Sequence, residues 1–280
     1  MVIIHVDDVG MCQASVEAFA DLWDYGLISS GATMVPCPWF LAAAEFCRSN
    51  PAVDMGVHIT LTSEWNTYRW GPVSTRDPAT GLIDMQGCFY HTAQMAQENA
   101  DPQAAWVEME AQVQRAIDAG IVPTHMDTHM GTVAHPKLLA PYLQLAAKLQ
   151  LPPMMLRLDS SAIQQHGFDA ESAEMLARTL AQVEADGVPL LDQIATLHLD
   201  DPADRLERTK AVLSGLPAGI THLYFHPAKD TPELRAITPD WRSRVGDYEN
   251  FSREEMRAFL KNSGLQIIGY RNIKDVMRQS

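Results

Sequence analysis

Short apolar runs rich in β-branched residues alternate along this chain with longer stretches of helical period. The runs at 2–6, 29–35, 53–59, 123–126, 154–158, 194–197, 220–225 and 265–269 have the length of single strands. Between them, apolar positions recur at spacings of three and four over 13–25, 42–48, 102–119, 136–148, 170–185, 202–214 and 253–262, which predicts helices. For the last of these, Ser252 with Glu255 three residues on offers an N-cap. Strand and helix in alternation is the pattern of βα units around a parallel sheet. Seven or eight such units predict an α/β fold, a distorted TIM-like (β/α) barrel in which residues 1–280 form one domain.

Two segments break the rhythm, 61–100 and 228–251, both rich in Gly, Pro, Trp, Tyr and Asp. Both follow predicted strands, so in a parallel barrel they are expected as long loops on the C-terminal face, where active sites form. The first carries Trp65, Tyr68, Trp70, Phe89 and Tyr90, which could stack on sugar rings or anchor the loop. In the second, the mixed charge of 241–248 could place a basic group near an acidic glycan, but it reads more readily as a solvated loop.

Composition narrows the partners. Against 35 acidic side chains stand 21 basic ones, a net charge of −14 with pI near 5.0 and no basic run. That balance disfavours nucleic acid and anionic membrane surfaces. No apolar stretch is long enough to span a membrane and no signal peptide is evident at the start, so a cytoplasmic protein is expected. Cys12, Cys37, Cys47 and Cys88 form no Cys-x-x-Cys pair and are expected as buried free thiols.

The chemistry-bearing residues fall at strand ends. Asp7-Asp8 follows the first predicted strand and His58 sits in the third; His125-Met126-Asp127-Thr128-His129 closes the fourth, and His226-Pro227 follows the seventh. In a barrel these converge. Imidazoles with a carboxylate make a ligand set for a divalent transition metal with positions left open, and nearby acids and bases complete a hydrolase. Taken singly, the Asp pair could instead cap the following helix and His58 could be a satisfied core residue. His125 and His129 are four apart in extended chain and would not share a face, so only one need be a direct ligand. His5 is expected as a buried strand residue, and Arg157 could bind a carboxylated sugar, steady Asp7 or be paired structurally.

Val6-Asp7-Asp8-Val9-Gly10, Gly56-Val57-His58-Ile59-Thr60-Leu61-Thr62, Thr124-His125-Met126-Asp127-Thr128-His129 and Phe225-His226-Pro227 occur in the order and spacing of the YdjC-like carbohydrate deacetylases, which this chain resembles over most of its length. The resemblance implies a distorted barrel related to the polysaccharide deacetylases and removal of an N-acetyl group from an amino sugar or oligosaccharide with one divalent metal. It implies that Asp8, His58 and His129 hold the metal, that Asp7 is the general base and that His226 is the general acid. His125, Asp127, Arg157 and Trp65 are candidate substrate contacts. Two departures stand out: Met130-Gly131-Thr132-Val133 follows His129 where chitooligosaccharide enzymes often carry further histidines, and His5 precedes the Asp pair. The first bears on the sugar more than on the acyl chemistry. The ligand set favours zinc, with magnesium, cobalt or nickel as alternatives. A homodimer is a further possibility. A metal-dependent hydrolase of another amide or ester, or a silent glycan-binding barrel, are the competing functions.

Overall fold

The computed structural model describes residues 1–278. In chain order these form β1 (Val2–Val9), α1 (Gln13–Tyr25), β2 (Ser30–Thr33), α2 (Phe40–Ser49), β3 (Met55–Ile59), α3 (Ala93–Asn99), α4 (Pro102–Asp118), β4 (Met126–Thr128), α5 (Pro136–Leu149), α6 (Ser160–Gln165) and α7 (Ala170–Ala185). They continue with β5 (Gln193–Thr196), α8 (Arg205–Ser214), β6 (Thr221–Phe225), α9 (Pro232–Ile237), α10 (Trp241–Phe251), α11 (Glu254–Asn262) and α12 (Tyr270–Met277). Local chemistry explains many of the boundaries. Behind Pro102 and Pro232, the side chains of Asp101 and Thr231 accept hydrogen bonds from first-turn N–H groups. After α1, Gly26 takes a left-handed conformation (φ 75°) and its N–H returns to the carbonyls of Leu22 and Trp23, stopping the helix.

All strand pairs are parallel, in the order β4-β3-β2-β1-β6-β5. Among the described residues six strands curl into a partial barrel, not the seven or eight expected to close one. The predicted strand at 154–158 survives only as the single bridge of Leu156 to Leu191, which with the bridge of Pro153 to Met126 just before it carries the curl from β4 towards β5. The run at 265–269 makes one bridge, Ile267 to Val2. Both runs are apolar enough for strands, but neither finds a neighbour with which to build a ladder.

β1 is central and buried along its whole length, as a parallel strand covered on both faces should be. Val2, Ile4, Val6 and Val9 pack in the main core that also holds Phe19, Phe40 and Leu223, Ile3 belongs to a smaller cluster with Leu191, Tyr270 and Ile273, and Phe225 stacks on Phe251 at 4.1 Å. Each such side chain contributes about 1.5–3 kcal/mol by leaving water. Among the described residues no helix is long and apolar enough to cross a membrane. Cys12, Cys37 and Cys47 are buried free thiols, whereas Cys88 is only half-buried.

The segment 228–251 is not a loop: it holds α9 and α10, and the stretch 241–248 lies within α10 with Ser243, Arg244, Val245 and Asp247 buried. Ser252 does not cap α11. Its hydroxyl donates to the Tyr248 carbonyl and closes α10, leaving Arg253 as the N-cap. By contrast 61–100 is mostly irregular, with a 3-10 turn at Pro78–Thr80 and α3 at its end. Glu108 on α4 fastens it by accepting from the N–H groups of Val73 (3.0 Å) and Ser74 (2.8 Å).

Candidate active site

The C-terminal ends of β1, β3, β4 and β6 deliver the predicted residues to one place. On β1 the ladder to β2 shifts register between Val6 and Val9, and Asp8 adopts a left-handed backbone with φ 60°, followed by Gly10 at φ 90°. Such a bulge with a non-glycine in the left-handed region is strained, and here it lets consecutive carboxylates serve different partners. Asp7 turns towards His5 and Asp8 towards His129.

Asp8 Oδ1 lies 3.1 Å from His129 Nδ1 and 3.5 Å from His58 Nε2. It is buried without a well-oriented hydrogen-bond donor, and the three ligand atoms all fall within 4.8 Å of one another. The far nitrogens are already committed. His58 Nδ1 is 2.7 Å from Asp127 Oδ1, its cross-strand neighbour in register, and His129 Nε2 is 3.1 Å from Glu64 Oε2. A carboxylate beside a ring N–H accepts from it, so each imidazole donates outward and leaves its other nitrogen, the one a metal would take once deprotonated, facing Asp8. Two nitrogens and one anionic oxygen, each braced from behind, fit a divalent transition metal.

The electrostatics agree. Burial opposes charge on Asp8, but His129, His58 and Arg244 outweigh it and hold the carboxyl well below its usual range. Burial likewise depresses His129, yet Glu64 and Asp8 raise it to about 9. Without a cation this pocket therefore gathers protons, because it is built to surround positive charge.

Asp7 Oδ2 faces the cavity, 3.9 Å from both His58 Nε2 and His226 Nε2. Burial disfavours its ionisation, but His58, the His5 hydrogen bond and His226 keep it an anion. Burial lowers His226 and, with Arg244 opposing a second positive charge, holds the ring neutral; its Nδ1 has no partner. Its backbone N–H donates to Asp247 Oδ2 at 3.3 Å, and Arg205 fixes Asp247 from the other side.

A cavity of 520 Å³ opens over this set and is lined by Asp7, Asp8, His58, His129, His226 and Trp65 among others. A larger concavity of 760 Å³ beside Arg69, Arg76 and Arg115 contains none of the Asp and His set. Trp65 packs edge-on against Trp70 at 5.5 Å, so Trp70 and Phe89 anchor the segment and Trp65 is left on the cavity wall. His125 and Asp127 are fully and almost fully buried and do not line the cavity. Nor does Arg157, which is paired at the surface with Glu184 and Asp192 and does not reach Asp7. His5 is buried as expected, but it also binds Asp7.

Two residues were missed. Arg244 on α10 donates from Nη1 to Asp8 Oδ2 at 2.8 Å and from Nε to Asp240 at 2.8 Å. Glu64, just beyond β3, braces His129. A signal for the first was present: Asp240 four residues before Arg244 suits an i, i+4 pair.

The YdjC-like protein family matches residues 1–262. This chain belongs to the YdjC-like family. A carbohydrate deacetylase of Thermus thermophilus is 31% identical over 260 residues, covering 93% of this chain and 89% of that one. One from Thermoanaerobacter pseudethanolicus is 23% identical over 272 residues, covering 97% and 98%. A solved structure from Enterococcus faecalis V583, a candidate cellobiose-phosphate cleavage protein, superposes with TM-score 0.76 over 97% of this chain and 98% of its own at 24% identity, which shows the shared fold. The YdjC-like match extends from β1 into α11, so it includes every residue of the site.

Proposed function

We propose that this protein removes the N-acetyl group from an amino sugar or oligosaccharide, with Asp8, His58 and His129 holding one divalent metal. The observation that carries this reading is the unpartnered Asp8 Oδ1 facing one nitrogen of each of two imidazoles in a cavity that also holds Asp7 and His226. The names of the relatives agree with it. The metal would supply Lewis acidity towards the acetamide carbonyl and make a water easier to deprotonate.

The remaining steps belong to side chains. Asp7, held as an anion, takes a proton from the attacking water at Oδ2. His226 rests neutral and must first gain the proton that it gives to the leaving nitrogen. Asp7 Oδ2, 3.9 Å from His226 Nε2, stands where it can pass that proton on. Trp65 offers a wall for a sugar ring, since aromatic faces pack well on the apolar face of a pyranose. Acetate and a free amine are the products.

The test is acetate release from a panel of N-acetylated mono-, di- and oligosaccharides, on chelator-stripped protein and on the same protein with zinc, magnesium, cobalt or nickel restored. Release that returns with metal identifies both sugar and ion. An absence of acetate from every sugar under every metal would contradict the reading and favour another acyl substrate or a binding role.

A further inference from the structure

Beneath Asp7 the interior holds a run of polar side chains that the hydrolytic steps do not use. His5, two residues back on β1, places Nδ1 2.8 Å from Asp7 Oδ1. His5 Nε2 is 3.0 Å from His125 Nε2, and His125 Nδ1 is 3.0 Å from Thr124 Oγ1. That hydroxyl is 2.6 Å from Asp54 Oδ1. Asp54 also accepts from the Ser30 hydroxyl at 2.9 Å and the Arg271 N–H at 2.7 Å. All five members of the chain, Asp7, His5, His125, Thr124 and Asp54, are buried. Water cannot stand in for a broken link at such a depth.

The surrounding fold is shaped to this chain. A Cβ on Gly56 would lie 2.4 Å from the His125 ring, and one on Gly269 would lie 2.3 Å from Asp54 Oδ2. Tyr270 of α12 stacks on His125 at 3.8 Å with the rings 14° from parallel. Its hydroxyl is 2.9 Å from Nδ1 of His222, whose ring lies 4.5 Å from that of His5.

Proton counting shows that the links depend on one another. Four contacts need four protons, one each, and neutral His5, His125 and Thr124 supply three. Fixing the donor at one link still constrains the next, because an imidazole that accepts on one nitrogen must donate from the other. A change at Thr124 therefore alters the order at every link, including the one on Asp7.

We propose that His125, Thr124 and Asp54 are positioning residues for Asp7, acting through His5. They hold Oδ1 so that Oδ2 faces the cavity between His58 and His226. The inference rests on Asp7 being the base of the proposed deacetylation.

The test compares Thr124→Val, which keeps the shape and loses the hydroxyl, with Thr124→Ser, which keeps the hydroxyl. In zinc-loaded protein carrying ¹⁵N-histidine, Thr124→Val is expected to move the ring-nitrogen resonances of His125 and His5, and Thr124→Ser to leave both near wild type. With a substrate that releases acetate, Thr124→Val lowers kcat by about ten- to a hundredfold at unchanged KM, and Thr124→Ser restores it. The ring resonances need no substrate, so a wild type that releases no acetate sinks the deacetylase reading while the spectra still decide the chain. His5 resonances unmoved by Thr124→Val overturn the proposal. So does wild-type kcat in Thr124→Val, or an equal loss in both variants.

Discussion

The two long segments that follow β3 and β6 brace the same proposed ligand set in different ways. The one after β3 sends Glu64 to His129 from irregular chain, through a single contact at 3.1 Å. The one after β6 folds into α9 and α10 and sends Arg244 to Asp8 from a helix, with Asp240 one turn back gripping the same guanidinium. Arg244 is 5% exposed and Asp8 2%. A helix holds a charge where water cannot compensate for it, so the pair is committed. A loop holds its brace at the rim, where the contact adjusts at lower cost.

The largest effect should come from the helix. Arg244→Met leaves Asp8 buried without its partner, so the chelated protein is expected to lose about 3–5 kcal/mol of stability. Zinc should recover much of it by giving Asp8 another positive neighbour, as thermal melts with and without metal would show. Equal losses in both states would place the role of Arg244 elsewhere than at the ligand set. Next comes the loop. Glu64→Ala should weaken zinc binding by about ten- to a hundredfold, with Glu64→Gln closer to wild type because its carbonyl still accepts from His129. Calorimetric titration would measure both.

The pH dependence sharpens the same contrast. In the metal-free protein His129 is raised from its ordinary 6.5 to about 9 by Glu64 and Asp8 against the opposing effect of burial. Its contribution to stability is therefore full below about 6.5 and is lost as pH rises through about 9. Metal must displace that proton, so zinc affinity should run the other way and tighten across the same window. In Glu64→Ala the window should shift to lower pH, and an unmoved window would deny Glu64 its role. The smallest effect is expected at Arg157, whose surface pairs with Glu184 and Asp192 are worth about 0–1 kcal/mol. Arg157→Ala should leave turnover unchanged in a kinetic assay.

Much of the site was legible because it is carried by strand ends. Asp7, Asp8, His58, His129 and His226 stand where βα units must converge, whatever the strand count. Helices with one clear apolar face were equally readable, and α1 and α7 begin and end where their periodicity does. What escaped depends on contacts remote in sequence. Arg244 meets Asp8 across 236 positions, and its mixed-charge surroundings look like solvated surface. The runs at 154–158 and 265–269 have strand composition, but a strand needs a ladder, and tertiary placement gave each only single bridges. Thr124 and Asp54 look like ordinary polar residues beside strands until His125 is seen between His5 and Thr124. His5 itself showed as a buried strand residue and a departure before the Asp pair, not as a partner of Asp7.

The most direct test of the central claim is acetate release followed while zinc is titrated into chelator-treated protein. The account predicts activity that rises from a negligible level and saturates at one zinc per chain, with no such rise in Asp8→Asn. Full acetate release from the chelated protein, or saturation reached equally by Asp8→Asn, would contradict it.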